Sequence, residues 1–182
     1  MRVIAGDFKG RHLKAPTWDG LRPTSDKLRE TLFNIVSARV NEARVLDAYA
    51  GTGAVGIEAL SRGASHVTFV EMNPRAAALI EVNLALCGVR QGYTIQRGDV
   101  PAVLRRFPGG TAFDLIFLDP PYDADTVTQA LEAAAPMLEA GGVVVLERAT
   151  RREPEIPTVL QRVRDVKSGD STLTFLERRG DQ

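Results

Sequence analysis

The feature that most constrains the fold is a repeated strand–loop–helix pattern that begins near Arg44. Short apolar runs, which we interpret as strands, alternate with amphipathic segments, which we interpret as helices. The predicted strands cover residues 45–49, 66–71, 93–96, 113–119 and 142–147; the predicted helices cover 54–62, a segment from Asn73 to Gly88, a short segment after Asp99, and a segment from Asp123 or Asp125 to Leu138. Strands that alternate with helices predict an α/β fold with a doubly wound, mostly parallel sheet.

The C-terminal part of the chain departs from this pattern. Residues 159–166 and 172–176 alternate apolar and polar positions, and a turn containing Ser168, Gly169 and Asp170 separates them. This arrangement predicts a β-hairpin, and therefore at least one antiparallel strand at the edge of the sheet.

The N-terminal part also differs from the central pattern. Residues 3–5 and 12–14 predict a small β-hairpin, and Thr24 or Ser25 can cap the helix that follows. We therefore expect residues 1–22 to form a small appendage and residues 23–182 to form the main domain.

Charge and cysteine content restrict the classes of protein that fit. The 182 residues carry 23 basic and 23 acidic side chains, but the first 22 residues hold five basic residues against two acids, which favours a local anionic partner. The single cysteine and the absence of a signal peptide or a membrane-spanning run favour a cytoplasmic protein with no membrane association. The two histidines lack partners at ligand spacing, so we expect no metal site.

A glycine-rich turn follows the first predicted strand. Gly51, Gly53 and Gly56 form a G-x-G-x-x-G pattern, which lets the backbone approach a nucleotide closely at the carboxyl end of that strand. Glu71 ends the next strand about 20 residues later, where a carboxylate can accept hydrogen bonds from ribose hydroxyls. Taken alone, the pattern also fits a dinucleotide site or a purely structural turn.

Neighbouring acids favour a methyl donor over a dinucleotide. Asp47 precedes Gly51 by four residues, where its carboxylate would repel a pyrophosphate but attract a cationic amino-acid moiety. S-adenosylmethionine carries an ammonium and a sulfonium and no phosphate. Asp99 can accept from an adenine amino group, cap its helix, or do both. The predicted donor-binding residues are Asp47, Ala50, Gly51, Thr52, Gly53, Glu71, Met72, Asn73, Gly98, Asp99, Val100 and Asp119, and the expected product is S-adenosylhomocysteine.

The sequence Asp119-Pro120-Pro121-Tyr122 follows the most apolar strand. Two consecutive prolines stiffen the turn in an extended form. The Asp119 carboxylate and the Pro120 carbonyl can each accept one N–H of an exocyclic amine, and Tyr122 can stack on the base that carries it. Alignment of this kind suits a poorly nucleophilic, weakly basic nitrogen. We therefore predict Asp119, Pro120 and Tyr122 as catalytic residues. The same four residues are also compatible with a stiff turn at the end of the strand that has no catalytic role.

With both motifs in place, the chain resembles a class I methyltransferase. Residues 4–13 (IAGDFKGRHL), 20–33 (GLRPTSDKLRETLF) and 56–64 (GIEALSRGA) are similar to the bacterial 16S (small-subunit) ribosomal RNA guanine-N2 methyltransferases. The resemblance covers nearly the whole chain. It implies a Rossmann-like sheet of about seven strands with a small N-terminal hairpin, S-adenosylmethionine as donor, and a guanine of small-subunit RNA, free or in a particle, as substrate. Tyr49 stands where Phe is more usual in that family.

The resemblance also suggests a role for the basic N-terminal segment. Its cationic side chains can contact RNA phosphates, although simple solubility explains surface lysine and arginine equally well. The predicted RNA-binding residues are Lys9, Arg11, His12, Lys14 and Arg22. We expect the protein to act as a monomer.

Four other functions remain open from the sequence. An adenine-N6 DNA methyltransferase uses the same four-residue turn, but 182 residues leave no room for a separate DNA-recognition domain. A glutamine-N5 protein methyltransferase favours Asn at the position of Asp119. A non-catalytic RNA-binding factor would not need both motifs intact, and an NAD enzyme would need a proton donor beside the nicotinamide.

Overall fold

The computed structural model describes residues 1–18, 24–121 and 124–180. Within these ranges, α-helices and strands alternate through most of the chain. Their bounds are α1 (Asp26–Val36), β1 (Arg44–Ala48), α2 (Ala54–Ser61), β2 (His66–Glu71), α3 (Pro74–Leu86), β3 (Tyr93–Arg97), α4 (Val100–Leu104), β4 (Phe113–Leu118), α5 (Ala124–Ala134), β5 (Leu138–Ala149), β6 (Leu160–Ser168) and β7 (Ser171–Arg178).

The strands form one sheet of seven, in the order β3-β2-β1-β4-β5-β7-β6. Strands β1 to β5 pair in parallel, and β7 pairs antiparallel with both β5 and β6. The chain moves outward from β1 to β3 and then returns to place β4 on the other side of β1. Such a reversal opens a crevice at the carboxyl ends of the two central strands, which is where open α/β sheets bind ligands. The predicted doubly wound sheet with an antiparallel C-terminal hairpin is confirmed.

Helices cover both faces of the sheet and divide the core in two. One layer contains α1, α2 and α3, whose buried Phe33, Ile57 and Ile80 pack with the side chains of one sheet face. The other contains α4 and α5, whose Leu104 and Leu131 pack against the opposite face. Because successive side chains of a strand point to opposite faces, a residue's face can be assigned from its position along the strand.

Helix starts follow the predicted caps. The Ser25 hydroxyl accepts from the Leu28 N–H at 3.2 Å, Asn73 Oδ1 accepts from the Arg75 N–H at 2.9 Å, and Asp99 Oδ2 accepts from the Ala102 N–H at 3.1 Å. A side-chain oxygen at this position satisfies a backbone donor that has no partner inside the helix. The cap residues therefore fix where α1, α3 and α4 leave the carboxyl edge of the sheet.

Two predicted boundaries were wrong around α5. We expected this helix to reach Leu138 and the next strand to begin at Gly142. The helix ends at Ala134, a 3₁₀ turn follows over Ala135–Met137, and β5 already begins at Leu138. Pro136 explains the early end, because a proline inside a helix lacks the amide hydrogen that the next turn requires.

The N-terminal hairpin is smaller than predicted. It has one antiparallel bridge, between Arg2 and His12, in place of two strands. Backbone hydrogen bonds from the Val3 N–H to the Arg11 carbonyl at 3.0 Å and from the Leu13 N–H to the Met1 carbonyl at 3.1 Å flank this bridge. The reason is a competing acceptor: the Glu58 carboxylate of α2 accepts from the N–H groups of Ile4 at 2.8 Å and Ala5 at 3.0 Å. These amides therefore donate to a helix 54 and 53 residues away in the chain and not to an opposite strand.

Buried polar groups of α1, α2 and α3 bind this N-terminal segment to the helical layer. Arg29 of α1 and Glu58 of α2 are fully buried, with 3.8 Å between Nε and Oε2. Asn83 of α3, also fully buried, accepts from the Lys14 N–H at 2.8 Å and donates to the Thr52 carbonyl at 2.9 Å. The segment that we expected to form an appendage is thus joined to the glycine-rich turn through Asn83, and the Thr52 hydroxyl also donates to Met1 Sδ at 3.7 Å.

Candidate active site

Four carboxylates lie where four neighbouring parallel strands end. Glu71 ends β2, Asp47 lies in β1, Asp119 follows β4 directly, and Glu147 lies near the end of β5. Each acid comes two residues after a strand residue that packs in the α1–α3 layer; those residues are Phe69, Val45, Phe117 and Val145. All four side chains therefore face the same layer, in the spatial order Glu71, Asp47, Asp119, Glu147. We call this set the carboxylate row.

Burial and neighbouring acids raise the pKa of two carboxyl groups of the row, Asp47 and Asp119. Burial raises the pKa of Asp47 from its ordinary value of 3.8 to about 7, against the lowering effect of the Gly56 N–H, and the charge of Glu71 raises it further. Burial also raises the pKa of Asp119 well above its ordinary value, and the charges of Glu147 and Asp47 add to the rise. The free site therefore carries unfavourable negative charge that a bound cation would relieve.

The glycine-rich turn gives the first helix after β1 a close approach to the sheet. Gly53 has a φ of +76°, in the left-handed region that glycine tolerates best. At Gly56 a Cβ would lie 2.3 Å from Cε1 of Phe69, so only glycine lets α2 pack this tightly on β2. These two glycines hold the turn at the crevice opened by the strand reversal.

Two acids of the carboxylate row also determine the shape of the turn. Glu71 accepts from the Gly51 N–H at 2.8 Å through Oε2 and from the Asn73 N–H at 2.7 Å through Oε1. Asp47 Oδ2 accepts from the Gly56 N–H at 2.8 Å. A carboxylate has about four acceptor positions, so each group keeps capacity for a ligand. Within the described part of the chain, Asp47, Glu71 and Asp119 form no ion pair.

An open cavity of about 830 Å³ lies over the carboxylate row. This volume suits a nucleoside-sized ligand together with part of a second molecule. Its floor is apolar and includes Phe117, Val145 and Leu173, while the acids stand along the strand ends. Among the described residues that line the cavity there is no lysine, arginine or histidine, so its lining is acidic and apolar.

Most of the predicted donor-binding and catalytic residues lie around this one cavity. The described ones that line it are Asp47, Ala50, Gly51, Thr52, Glu71, Met72, Asn73, Asp99, Val100, Asp119 and Pro120. Gly53 and Gly98 do not line the cavity but adjoin residues that do: Gly53 precedes α2, and the Gly98 N–H donates to the Glu71 carbonyl at 3.2 Å. Met72 is 68% exposed at the mouth, where it can cover a bound ring. Tyr122 lies outside the described residues.

The cavity also contains groups that the sequence did not lead us to predict. Glu147 lines it beside Asp119, and residues 168–171 of the β6–β7 turn close its far side. Thr24 and Ser25, which precede α1, complete the wall. Glu147 could have been predicted from the sequence, because it ends an apolar run in the same way as Glu71 does.

The predicted RNA-binding residues lie apart from the cavity. Lys9, Arg11, His12 and Lys14 are exposed on the N-terminal segment, and none of them lines the cavity. The Arg11 guanidinium donates to the Leu86 carbonyl at 3.1 Å at the end of α3, so it has a structural contact of its own. Arg22 lies outside the described residues.

The rest of the described chain contains no second site with the same character. No three or more His, Cys, Asp or Glu side chains among them could hold a metal ion. None of the described helices is long and apolar enough to cross a membrane. A second cavity of about 370 Å³ lies between α4 and α5 and contains no residue of the sequence motifs.

Comparison with known proteins agrees with this geometry. A family described as "Conserved hypothetical protein 95" matches residues 1–177. YlbH of Bacillus subtilis (strain 168), provisionally named as an rRNA methyltransferase, is 37% identical over 99% of this chain and 94% of its own length. Ribosomal RNA small subunit methyltransferase D of Escherichia coli (strain K12) is 34% identical over 90% of this chain and 79% of its own length.

A solved structure supports the same assignment. The structure of yhhF from Escherichia coli matches with a TM-score of 0.87 and 30% identity, over 98% of this chain and 97% of that one. The fold is that of a class I methyltransferase, with the carboxylate row at its switch point. By full-length similarity in sequence and in fold, the chain belongs to the bacterial small-subunit ribosomal RNA methyltransferase D family.

Proposed function

We propose that the protein transfers a methyl group from S-adenosylmethionine to the exocyclic N2 amine of a guanine in small-subunit ribosomal RNA. The observation that carries the proposal is the carboxylate row beneath a cavity that no described cation lines. Such a cavity suits a cationic methyl donor and an amine that donates hydrogen bonds better than it suits a phosphate.

The residues present fit the donor chemically. Its ammonium and sulfonium would stabilise the ionised form of Asp47, whose pKa is raised by burial and by the charge of Glu71. Glu71 and Asp99 have acceptor capacity for ribose hydroxyls and for an adenine amino group, while the turn around Gly51 allows close backbone approach. When bound, S-adenosylmethionine supplies an electrophilic methyl group.

Asp119 and Pro120 would hold the acceptor amine. Asp119 follows β4 directly, and Pro120 is buried beside it, so the carboxylate and the proline carbonyl share one rigid strand exit. Each oxygen can accept one N–H of the amine, which aligns the nitrogen lone pair and favours tetrahedral geometry. The charge on Asp119 stabilises the positive charge that develops on the nitrogen, and its Oδ atoms provide a place for the departing proton. The predicted stacking role of Tyr122 rests on the sequence alone.

The apolar floor would limit the water that reaches the amine. Phe117, Val145 and Leu173 occupy positions beneath the strand ends where a polar side chain would admit solvent. A drier site strengthens each hydrogen bond to the carboxylate row, because electrostatic interactions weaken as the local dielectric rises. The exposed Lys9 and Lys14 would contact RNA phosphates from the N-terminal segment.

Product analysis tests the proposal. We would incubate the protein with labelled donor and small-subunit particles from a strain that lacks this enzyme, then map the label by mass spectrometry. One N2-methylguanine in the small-subunit RNA is the expected product. A methyl group on adenine, on protein or on no component of the particle would refute the proposal.

Donor binding gives an independent test. Replacing Glu71 with alanine removes acceptors for ribose and for two backbone amides of the turn, and we expect binding weaker by about 1–3 kcal/mol. Isothermal calorimetry with S-adenosylmethionine and S-adenosylhomocysteine measures this loss. Unchanged affinity would place the donor elsewhere, and NAD serves as a negative control ligand.

A further inference from the structure

Glu147 belongs to the carboxylate row, but the proposed reaction gives it no role. It lies in β5, and the parallel pairing of β4 with β5 runs to Leu118 and Leu146, one residue before Asp119 and Glu147. Neighbouring strands lie about 4.8 Å apart, so the two carboxylates are neighbours across the ladder. Glu147 is half-buried and lines the cavity on the side away from Asp47 and Glu71.

Glu147 places a second carboxylate beside Asp119 at the wall of the cavity. Burial raises the pKa of Asp119, and the negative charge of Glu147 adds to that rise, as expected for two neighbouring acids that repel each other. A glutamine or an apolar residue would fill the end of β5 without this repulsion. The arrangement becomes favourable when a molecule with several adjacent hydrogen-bond donors lies between the two acids.

Guanine has such an edge. Its N2 amine carries two hydrogens, and the neighbouring N1 carries a third, so three donors stand side by side. Adenine presents its N6 amine beside an unprotonated N1, which is an acceptor. If Asp119 and the Pro120 carbonyl hold the amine, the next acceptor along the sheet is Glu147, and it would meet N1–H of guanine or the N1 lone pair of adenine.

We propose that Glu147 is a specificity-determining residue that accepts the N1–H of the target guanine and rejects bases whose N1 is an acceptor. This inference rests on the proposed function, since it names the second contact of the same base. Rejection follows because a carboxylate facing a lone pair is left desolvated and unpaired, and sites built for a donor discriminate strongly against analogues that lack it.

The test pairs one enzyme variant with one altered base. Glu147→Gln keeps the shape of the side chain and removes its charge, while Glu139→Gln is the matched control on the same strand, at its exposed amino end. The substrates are small-subunit particles reconstituted with either guanine or 2-aminopurine at the methylated position found by mass spectrometry. 2-Aminopurine keeps the N2 amine, but its N1 is an acceptor.

We expect the wild-type protein and Glu139→Gln to methylate guanine at least about 100-fold faster than 2-aminopurine under single-turnover conditions. Glu147→Gln should slow the guanine reaction by about 10- to 100-fold and reduce the preference by at least about tenfold, because the glutamine amide can donate to the N1 acceptor. Affinity for S-adenosylmethionine should remain within about threefold of wild type, since Glu147 lies on the acceptor side.

Three results would overturn the inference while leaving the proposed function intact. The first is a rate of Glu147→Gln on guanine equal to that of wild type. The second is an equal decrease in rate on guanine and on 2-aminopurine. The third is weaker binding of S-adenosylmethionine with an unchanged preference for guanine. A wild-type product other than N2-methylguanine would refute the proposed function itself, and this inference with it. A thermal melt of Glu147→Gln that matches wild type excludes misfolding as the cause of a lower rate.

Discussion

Replacing Asp47 with asparagine should raise the stability of the protein relative to wild type as the pH increases from 4 to 8, and should weaken donor binding. Asp47 is buried within the carboxylate row, and the only described hydrogen bond to its carboxylate comes from the Gly56 N–H. Asparagine can keep that acceptor oxygen while it removes the charge. If the charge exists to bind a cation, stability and binding should move in opposite directions.

The magnitude follows from the pKa of Asp47. A rise from 3.8 to about 7 corresponds to about 4 kcal/mol, at about 1.36 kcal/mol for each pKa unit. Because the folded-state pKa is the higher one, the folded protein holds the proton more tightly, and the associated stability is full below about pH 4. That stability is lost as the pH rises to about 7. The Asp47→Asn variant has no carboxyl group at this position. Its free energy of unfolding should therefore rise relative to that of wild type as the pH increases from about 4 to about 7.

Urea unfolding of both proteins between pH 4 and 8 measures the effect. The difference in unfolding free energy should grow by up to about 4 kcal/mol from pH 4 to pH 8, whatever asparagine itself costs at pH 4. Calorimetry at pH 8 should show weaker binding of S-adenosylmethionine to the variant. A stability difference that stays constant with pH would refute the reasoning, and so would donor affinity equal to wild type.

Two further predictions concern packing and RNA. Gly56→Ala places a Cβ against the Phe69 ring at 2.3 Å, and we expect a loss of about 3 kcal/mol in urea unfolding, the upper part of the range for overpacked cores; a loss under about 0.5 kcal/mol would contradict the tight packing of α2 on β2. Replacing Lys9 and Lys14 with glutamine should flatten the salt dependence of particle binding by about two slope units without changing donor affinity; an unchanged slope would leave these lysines without an RNA role. Arg11 is kept in place because its contact with the Leu86 carbonyl is structural.

Local signals were sufficient for most of the fold. Asn73 and Asp99 cap their helices as expected, because the oxygen of a cap and the amide it satisfies lie within three residues of each other. The strand ends that carry Glu71 and Asp47 were also predictable from apolar runs followed by acids. These elements need no information about distant parts of the chain.

What the sequence could not supply depends on contacts between distant residues. Within the N-terminal segment, the pairing expected of Ile4 and Ala5 is replaced by hydrogen bonds to Glu58, more than 50 residues away. The proximity of Glu147 to Asp119 could not be predicted from the sequence, because it depends on the pairing of β5 with β4. The enclosure of the cavity by residues 168–171 likewise requires the β6–β7 hairpin to be placed at the edge of the sheet.

The most direct test of the account is the single-turnover rate of methyl transfer by Asp119→Ala on small-subunit particles, at saturating S-adenosylmethionine. The substitution removes both the acceptor oxygens and the charge at the end of β4, so we expect the rate to fall by about 100-fold or more. Asp119→Asn keeps one acceptor oxygen in nearly the same place, and its rate should lie between those of wild type and Asp119→Ala. If Asp119→Ala transfers methyl groups as fast as wild type, the strand exit formed by Asp119 and Pro120 is not the catalytic site.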